Sequence, residues 1–250
     1  MLKAKSGHYF DELETMTPEA REKYLNQKLA ETIAFAYQNA LSTKEIMDKA
    51  GVSPSQIQAT KDLEKIPITR KAELIALQKA RPPYGGFLTI PPENVTRVFI
   101  SPGPIYEPHI GEQARPFAKP FYAAGFKKGD IVVNTFSYHM SPGGLAFHGD
   151  LQSIGATVIP MGVGNTEAQI QAMHDLKVTG FVGTPSFLMT VIKRTEELGY
   201  DFRCDFAVRK AWFTGEMLSP SLRKSFEEDH TISTAQAYAV TEVGGCPAYE

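Results

Sequence analysis

The sequence has 250 residues, of which 42% are hydrophobic and 22% charged, and its formal net charge is −2. Near-neutral charge with scattered Lys and Arg excludes the electrostatic footprint of a nucleic-acid or anionic-membrane binder. The opening MLKAKSGHYF carries no apolar leader core, and no apolar run reaches bilayer length. With Cys204 and Cys246 too few for a disulfide framework, the expectation is a reduced, cytoplasmic protein. The length suits one large α/β domain or a piece of one.

In chain order, residues 1–80 read as a helical N-terminal region. Thr17-Pro18 opens a helix with Pro at its first position, and Leu25, Leu29, Ile33 and Ala36 follow at helical spacing. Ser53-Pro54-Ser55-Gln56 has a capping-box pattern that opens a further short helix. Lys61–Thr69 is a turn-rich link into a helix over Arg70–Lys79. Residues 81–250 form the second region. It begins with a Pro- and Gly-rich loop to Pro92, a strand over Asn94–Ile100, and an irregular loop, Ser101–Pro108.

Beyond that point strands and helices alternate. A helix over 112–124 precedes strand Asp130–Thr135, loop Phe136–Gly144 and a helix to about Ile154. Strand Thr157–Pro160 and loop Met161–Asn165 lead to a helix from Thr166, with a capping box to Gln169. Strand Val178–Gly183 leads through Thr184-Pro185-Ser186 to a helix whose apolar face is read as Phe187, Val191 and Leu198. Strand Val208–Phe213 runs into Thr214-Gly215-Glu216, Ser219-Pro220 starts another helix, and strand Ile232–Tyr238 ends in Thr241-Glu242-Val243-Gly244-Gly245. This alternation predicts an α/β fold with a mostly parallel sheet and helices on both faces. In such sheets ligands bind outside the carboxyl ends of the strands. The polar clusters 136–144, 161–165, 184–186, 214–217 and 239–245 all follow strands, so a ligand site is expected on that edge. Gly162-Val163-Gly164 lacks a third glycine at the required spacing, which rejects a dinucleotide oxidoreductase.

Tyr238-Ala239-Val240-Thr241-Glu242 resembles the Tyr-Gly-x-Thr/Ser-Glu motif of the acyl-adenylate-forming enzymes. More narrowly, the chain is similar to the phenylacetate–CoA ligase and coenzyme F390 synthetase branch. The similarity is carried by Ala50-Gly51-Val52, Leu63–Thr69, His148–Pro160, Thr166–Gln169, Thr184-Pro185-Ser186 and Thr214-Gly215-Glu216, and it runs from about residue 9 to 250. It implies the N-terminal part of the large domain of such enzymes. The implied reaction converts ATP and a small carboxylic acid to acyl-AMP, which coenzyme A captures as a thioester. By the same resemblance Thr214, Gly215 and Glu216 lie against adenine, and Gln236, Ala237, Tyr238 and Ala239 complete the nucleotide site. Gln236 stands where the branch usually has an adenine-contacting Asp, and its amide oxygen is an acceptor for the adenine amino group. Thr241 contacts the α-phosphate and Glu242 holds Mg²⁺, the two residues expected to act in catalysis.

The acid pocket is assigned to Tyr138, His139, Met140, Gly143, Gly144 and Pro185. Ser141-Pro142 replaces an aromatic of the phenylacetate enzymes, which removes a stacking wall and disfavours phenylacetate itself. His148 is read as packing on its helix. The family's phosphate loop, Ser-Ser-Gly-Thr-Thr-Gly-x-Pro, aligns with Ser101-Pro102-Gly103-Pro104-Ile105-Tyr106-Glu107-Pro108, which keeps only Ser101 and Gly103 of its small polar set. Two extra prolines delete amide donors and Glu107 repels triphosphate, so β,γ-phosphate binding is expected to be poor. Cys246 lies where some relatives begin a zinc cluster. The family's ribose-binding Asp, hinge and C-terminal domain with its catalytic Lys have no counterpart in the sequence. A split or truncated enzyme, the former with a separate polypeptide supplying them, is one expectation; a degenerate, non-catalytic paralogue that binds nucleotide or acyl ligand, or acts as an interaction subunit, is the other. Relatives in the branch imply a homodimer.

Overall fold

The structure is a computed structural model, which describes residues 9–101, 104–111, 116–240 and 244–250. Two compact units divide at Gly111/Glu112, with Tyr9 and Phe10 grouped with the second. Among the described residues no helix is long and apolar enough to cross a membrane.

The first unit holds helices α1 (Pro18–Asn39), α2 (Leu41–Lys49) and α3 (Lys71–Ala80) and an antiparallel pair, β1 (Arg97–Ser101) and β2 (Ile105–His109). Thr17 caps α1 by accepting from the Ala20 amide at 3.2 Å, with Pro18 at the first helical position. The Ser53–Gln56 box closes only one 3-10 turn, Pro54–Gln56, rather than opening a helix; the next residue, Ile57, is fully buried and extended. Residues 105–108 are likewise not an irregular loop. They pair with β1 in register, Ser101 opposite Ile105 and Ile100 opposite Tyr106. Buried Phe99 and Ile105 hold the pair together, and Gln78 of α3 exchanges two hydrogen bonds with the Tyr106 backbone at 2.8 and 2.9 Å. Proline tolerates this position because a strand edge leaves its missing amide unneeded.

In the second unit, α4 (Ala118–Ala123) is shorter than the expected 112–124. Pro120 has no amide N–H to donate to the carbonyl of residue 116, so the helical bonding starts after it, with the Phe121 amide donating to the Phe117 carbonyl at 3.0 Å; residues 112–115 of the expected span lie outside the described residues. Its start is bonded from outside instead, the Phe117 amide donating to buried Asp150 at 2.7 Å. Then follow β3 (Ile131–Asn134), α5 (Pro142–Ser153), β4 (Thr157–Ile159), α6 (Thr166–Asp175), β5 (Gly180–Gly183), α7 (Pro185–Glu197), α8 (Phe202–Asp205), β6 (Lys210–Phe213), α9 (Pro220–Lys224), β7 (Ser233–Val240) and β8 (Gly245–Tyr249). The sheet order is β4-β3-β5-β6-β7-β8, parallel except for the last pair. The chain leaves β3 toward one edge and returns past it to β5, so the order reverses at β3/β5.

Period-two alternation splits the core between two faces. Val133, Phe181, Ala211 and Phe213 face α6 and α7, while Val132, Val182, Trp212 and Ala235 face α4 and α5. Helices therefore cover both faces, as the strand–helix alternation predicts.

Two local readings are corrected. The α6 cap is Asn165 in the left-handed region (φ 50°), which accepts from the Ala168 amide at 3.4 Å. Asn visits that region more readily than Thr. Gln169 is thereby freed from a capping box and, fully buried, ties the Gly162 and Gly164 carbonyls at 3.0 and 2.8 Å. On α7 the buried face is Pro185, Leu188, Val191, Ile192 and Thr195, with Phe187 at its flank, and Leu198 lies beyond the helix and is exposed.

Candidate functional site

At the carboxyl ends of β6 and β7 the second unit opens a cleft of about 570 Å³, lined by residues 214–217, 236–239 and 248–250. The two segments assigned to the nucleotide by motif thus meet, although some twenty residues separate them. Gly215 turns the chain out of β6 with φ +83°, a conformation that side chains with a Cβ resist. A Cβ there would stand 3.7 Å from the Thr184 methyl and 3.8 Å from the Phe136 ring, so the loops after β3, β5 and β6 adjoin at this point.

Glu216 fastens two of these loops. Its carboxylate accepts from the Ser186 hydroxyl at 2.9 Å and the Ser186 amide at 3.3 Å, at the start of α7. An anion is well placed there, against the exposed amides of a helix N-terminus. Thr184 caps the same helix, and Pro185, its first residue, is buried. Gln236 is half-buried, and its amide oxygen accepts from the Leu218 amide at 3.0 Å. That contact takes one lone pair of the oxygen expected to read adenine. Tyr238, two residues along β7, is 67% exposed and offers a ring to the cleft.

The residues assigned to the acid form a separate cluster after β3. The Tyr138 hydroxyl lies 3.0 Å from Asn134 Nδ2 and 3.1 Å from His148 Nδ1, and Asn134 Nδ2 also donates to the Gly144 carbonyl at 2.9 Å. Burial pushes the Tyr138 phenol up to about 12, against a lowering from the Asn134 bond. His148 is thus a polar partner of Tyr138 as well as a packing residue. His139 and Met140 are exposed at the turn, Met140 with φ 58°. The His139 carbonyl accepts from Ser137 Oγ and the Ser141 amide at 3.0 and 2.6 Å. Gly144 packs against the backbone of Ser137, and none of 138–144 lines the cleft.

The remaining assignments fall elsewhere. Gly103, Thr241 and Glu242 lie outside the described residues. Ser101 ends β1 in the first unit and is buried. Burial pushes the Cys246 thiol up, opposite to what a metal-binding thiolate needs, and Sγ contacts the Ala248 carbonyl at 3.2 Å. Among the described residues no group of three or more His, Cys, Asp or Glu could hold a metal ion. The wall formed by Ala248, Tyr249 and Glu250 was not legible in the sequence. The only linear signal is the Gly244-Gly245 turn, and Pro247 argues against a strand except at a sheet edge, which is where β8 lies.

No family model matches the sequence. The phenylacetate–coenzyme A ligase of Pseudomonas putida is 30% identical over 243 residues, which are 94% of this chain and 54% of that protein. The enzyme of the same name from Escherichia coli is 30% identical over 244 residues, again 94% and 54% of the two chains. This chain is homologous to the phenylacetate–coenzyme A ligases. It spans about half the length of the curated relatives it matches. Among solved structures, an open conformation of 2-hydroxyisobutyryl-CoA ligase in complex with 2-HIB-AMP and CoA superposes with a TM-score of 0.90 at 22% identity, covering 98% of this chain and 55% of that one. The same ligase in its postadenylation state gives 0.89 at 23% identity, covering 97% of this chain and 53% of that one. The ligase homologue therefore has the fold of an adenylate-forming enzyme over nearly its whole length.

Proposed function

We propose that this chain carries the nucleotide-binding part of an ATP-dependent acid–CoA ligase acting on a small carboxylic acid. The observation that carries the reading is the cleft that joins 214–217 to 236–239 in a homologue of CoA ligases. Tyr238 supplies an exposed ring for a base to stack on, and the Thr214-Gly215 backbone supplies a face without bulk. Glu216 braces the loop through Ser186 rather than contacting the ligand.

A carboxylate is a poor electrophile. Attack of its oxygen on the α-phosphorus of ATP expels pyrophosphate and leaves acyl-AMP, and the CoA thiol then attacks the acyl carbon and expels AMP. The residues of the cleft bind and orient the nucleotide for both steps. Thr241 and Glu242 are the residues we assign to the α-phosphate and to Mg²⁺, which when bound offsets phosphate charge. Tyr138, with Asn134 and His148 behind it, is assigned to the acid side, and a homodimer is the assembly that accompanies this reading.

The test is calorimetry with AMP and ATP, together with pyrophosphate release over a panel of carboxylic acids. One arm adds a polypeptide equivalent to the second half of the relatives. Turnover that Glu242→Ala abolishes is expected; no turnover with any acid, even in that arm, would sink the catalytic reading. A second reading, nucleotide binding without turnover, is favoured by the β1–β2 pairing. The Tyr106 amide in the expected phosphate loop is already bonded to Gln78. AMP bound while ATP is refused is the result that selects it.

A further inference from the structure

The third wall of the cleft has a chemistry of its own. Gln236 and Glu250 pair across the strand edge, each backbone amide donating to the other's carbonyl at 3.0 Å. Above that pair, Gln236 Nε2 donates to Glu250 Oε1 at 2.6 Å, and Arg223 donates to the same oxygen. Arg223 comes from α9, where it lies 3.4 Å from Thr234 Oγ1 and 3.8 Å from Glu227.

Three lining side chains are charged or amides: Glu216, Gln236 and Glu250. Glu216 uses both carboxylate oxygens on Ser186. Gln236 uses its oxygen on Leu218 and its nitrogen on Glu250. Glu250 uses one oxygen; its Oε2 has no partner among the described residues, and the side chain is 62% exposed. Beside the second lone pair of the Gln236 oxygen, the cleft thus holds a carboxylate oxygen with no protein partner among the described residues, held in place through its twin by Gln236 and Arg223. Such a group accepts hydrogen bonds and donates none. Gln236 and Tyr238 lie on one face of β7, roughly 7 Å apart along the strand. A purine stacked on Tyr238 therefore turns its edge toward the Gln236–Glu250 pair.

We infer that Glu250 reads the base of the nucleotide, its free oxygen accepting from the exocyclic amino group of adenine. Arg223 is its positioning residue. A 6-oxo purine puts a carbonyl oxygen where that amino group stands, opposite the carboxylate, and is rejected. The inference rests on the nucleotide reading of the cleft, and the test separates the two.

Calorimetric affinities for AMP, IMP and 2′-deoxy-AMP are compared in the wild type, Glu250→Gln and Glu250→Ala, with circular dichroism to verify folding at this exposed position. The wild type is expected to prefer AMP over IMP by roughly 10- to 100-fold, the worth of one hydrogen bond to a charged group. Both variants reduce that ratio by at least about 10-fold, and Glu250→Gln, which offers an amide donor to the 6-oxo group, binds IMP more tightly than the wild type does. Equal affinity for AMP and IMP in the wild type, or a ratio unchanged in both variants, overturns the role of Glu250 while leaving the nucleotide cleft standing. A deficit for 2′-deoxy-AMP that disappears in Glu250→Gln would place the carboxylate on the ribose and also overturn it. No binding of any of the three nucleotides overturns the nucleotide reading and this inference together.

Discussion

The neighbouring glycines at the start of α5 are expected to answer the same substitution with opposite signs. A methyl at Gly143 would stand 3.4 Å from the Phe147 ring and 3.7 Å from Phe136 Cβ, both ordinary contacts. Gly143→Ala then gains the helical preference of alanine, about 0.5–1 kcal/mol. A methyl at Gly144 would stand 2.4 Å from the Ser137 oxygen, 2.8 Å from its carbon and 3.0 Å from the Tyr138 nitrogen. All three are backbone atoms, so no rotamer change relieves the clash. The Gly144 amide donates to that same Ser137 oxygen at 3.1 Å, and the loop must break this bond to make room. Overpacking of about 1–3 kcal/mol and a lost hydrogen bond of about 1 kcal/mol outweigh the helical gain, leaving Gly144→Ala destabilised by roughly 1–3.5 kcal/mol. Urea unfolding followed by Trp212 fluorescence reads both variants. Trp212 is the single tryptophan, it is fully buried, and its ring lies 5.2 Å from Phe147 of the same helix. Gly144→Ala at wild-type stability, or Gly143→Ala costing more than about 1 kcal/mol, would refute the packing argument.

Two further outcomes follow from buried polar groups. Lys210 donates to both oxygens of Asp130 and to the Gly125 carbonyl, with side chains only 18% and 8% exposed. Lys210→Met leaves Asp130 with the Lys127 amide and the Thr179 hydroxyl. The expected cost is about 3 kcal/mol in urea unfolding, the lower end for breaking a buried pair, and a cost near zero would show that the carboxylate is solvated. For Tyr138, the folded phenol titrates near 12 while the unfolded one titrates at its ordinary value of 10.0. Across that window the unfolded chain holds fewer protons, so stability falls as pH rises and the loss is complete above about 12. Ultraviolet titration should show a late phenol that is absent in Tyr138→Phe, and that variant should lose less stability over the same window.

The parallel strands were legible because each is a short apolar run closed by Gly, Pro or Thr, as in Gly180–Gly183 before Thr184-Pro185. The antiparallel partners β2 and β8 were not. Residues 105–109 and 245–249 each contain a proline, and each becomes a strand through a partner lying earlier in the chain. Local pattern also missed the side of α7. Leu198 fits a helical spacing from Val191, but the helix ends at Glu197, one residue short of placing it against the core. Within the site, 214–216 and 236–239 were found by resemblance of motif, and the cleft that joins them is what the fold adds. Glu250 carried no such signal, because its position follows from the cross-strand register with Gln236.

The sheet separates its tasks along the strand direction. Lys210 opens β6 with the Asp130 anchor, and Phe213 closes it beside Thr214, three steps of about 3.3 Å further on. Changes at the anchor and changes in the cleft therefore lie at least roughly 10 Å apart with no shared partner, a spacing at which their energetic effects add. Recognition of the ligand can be redrawn at one margin while the other keeps the chain folded.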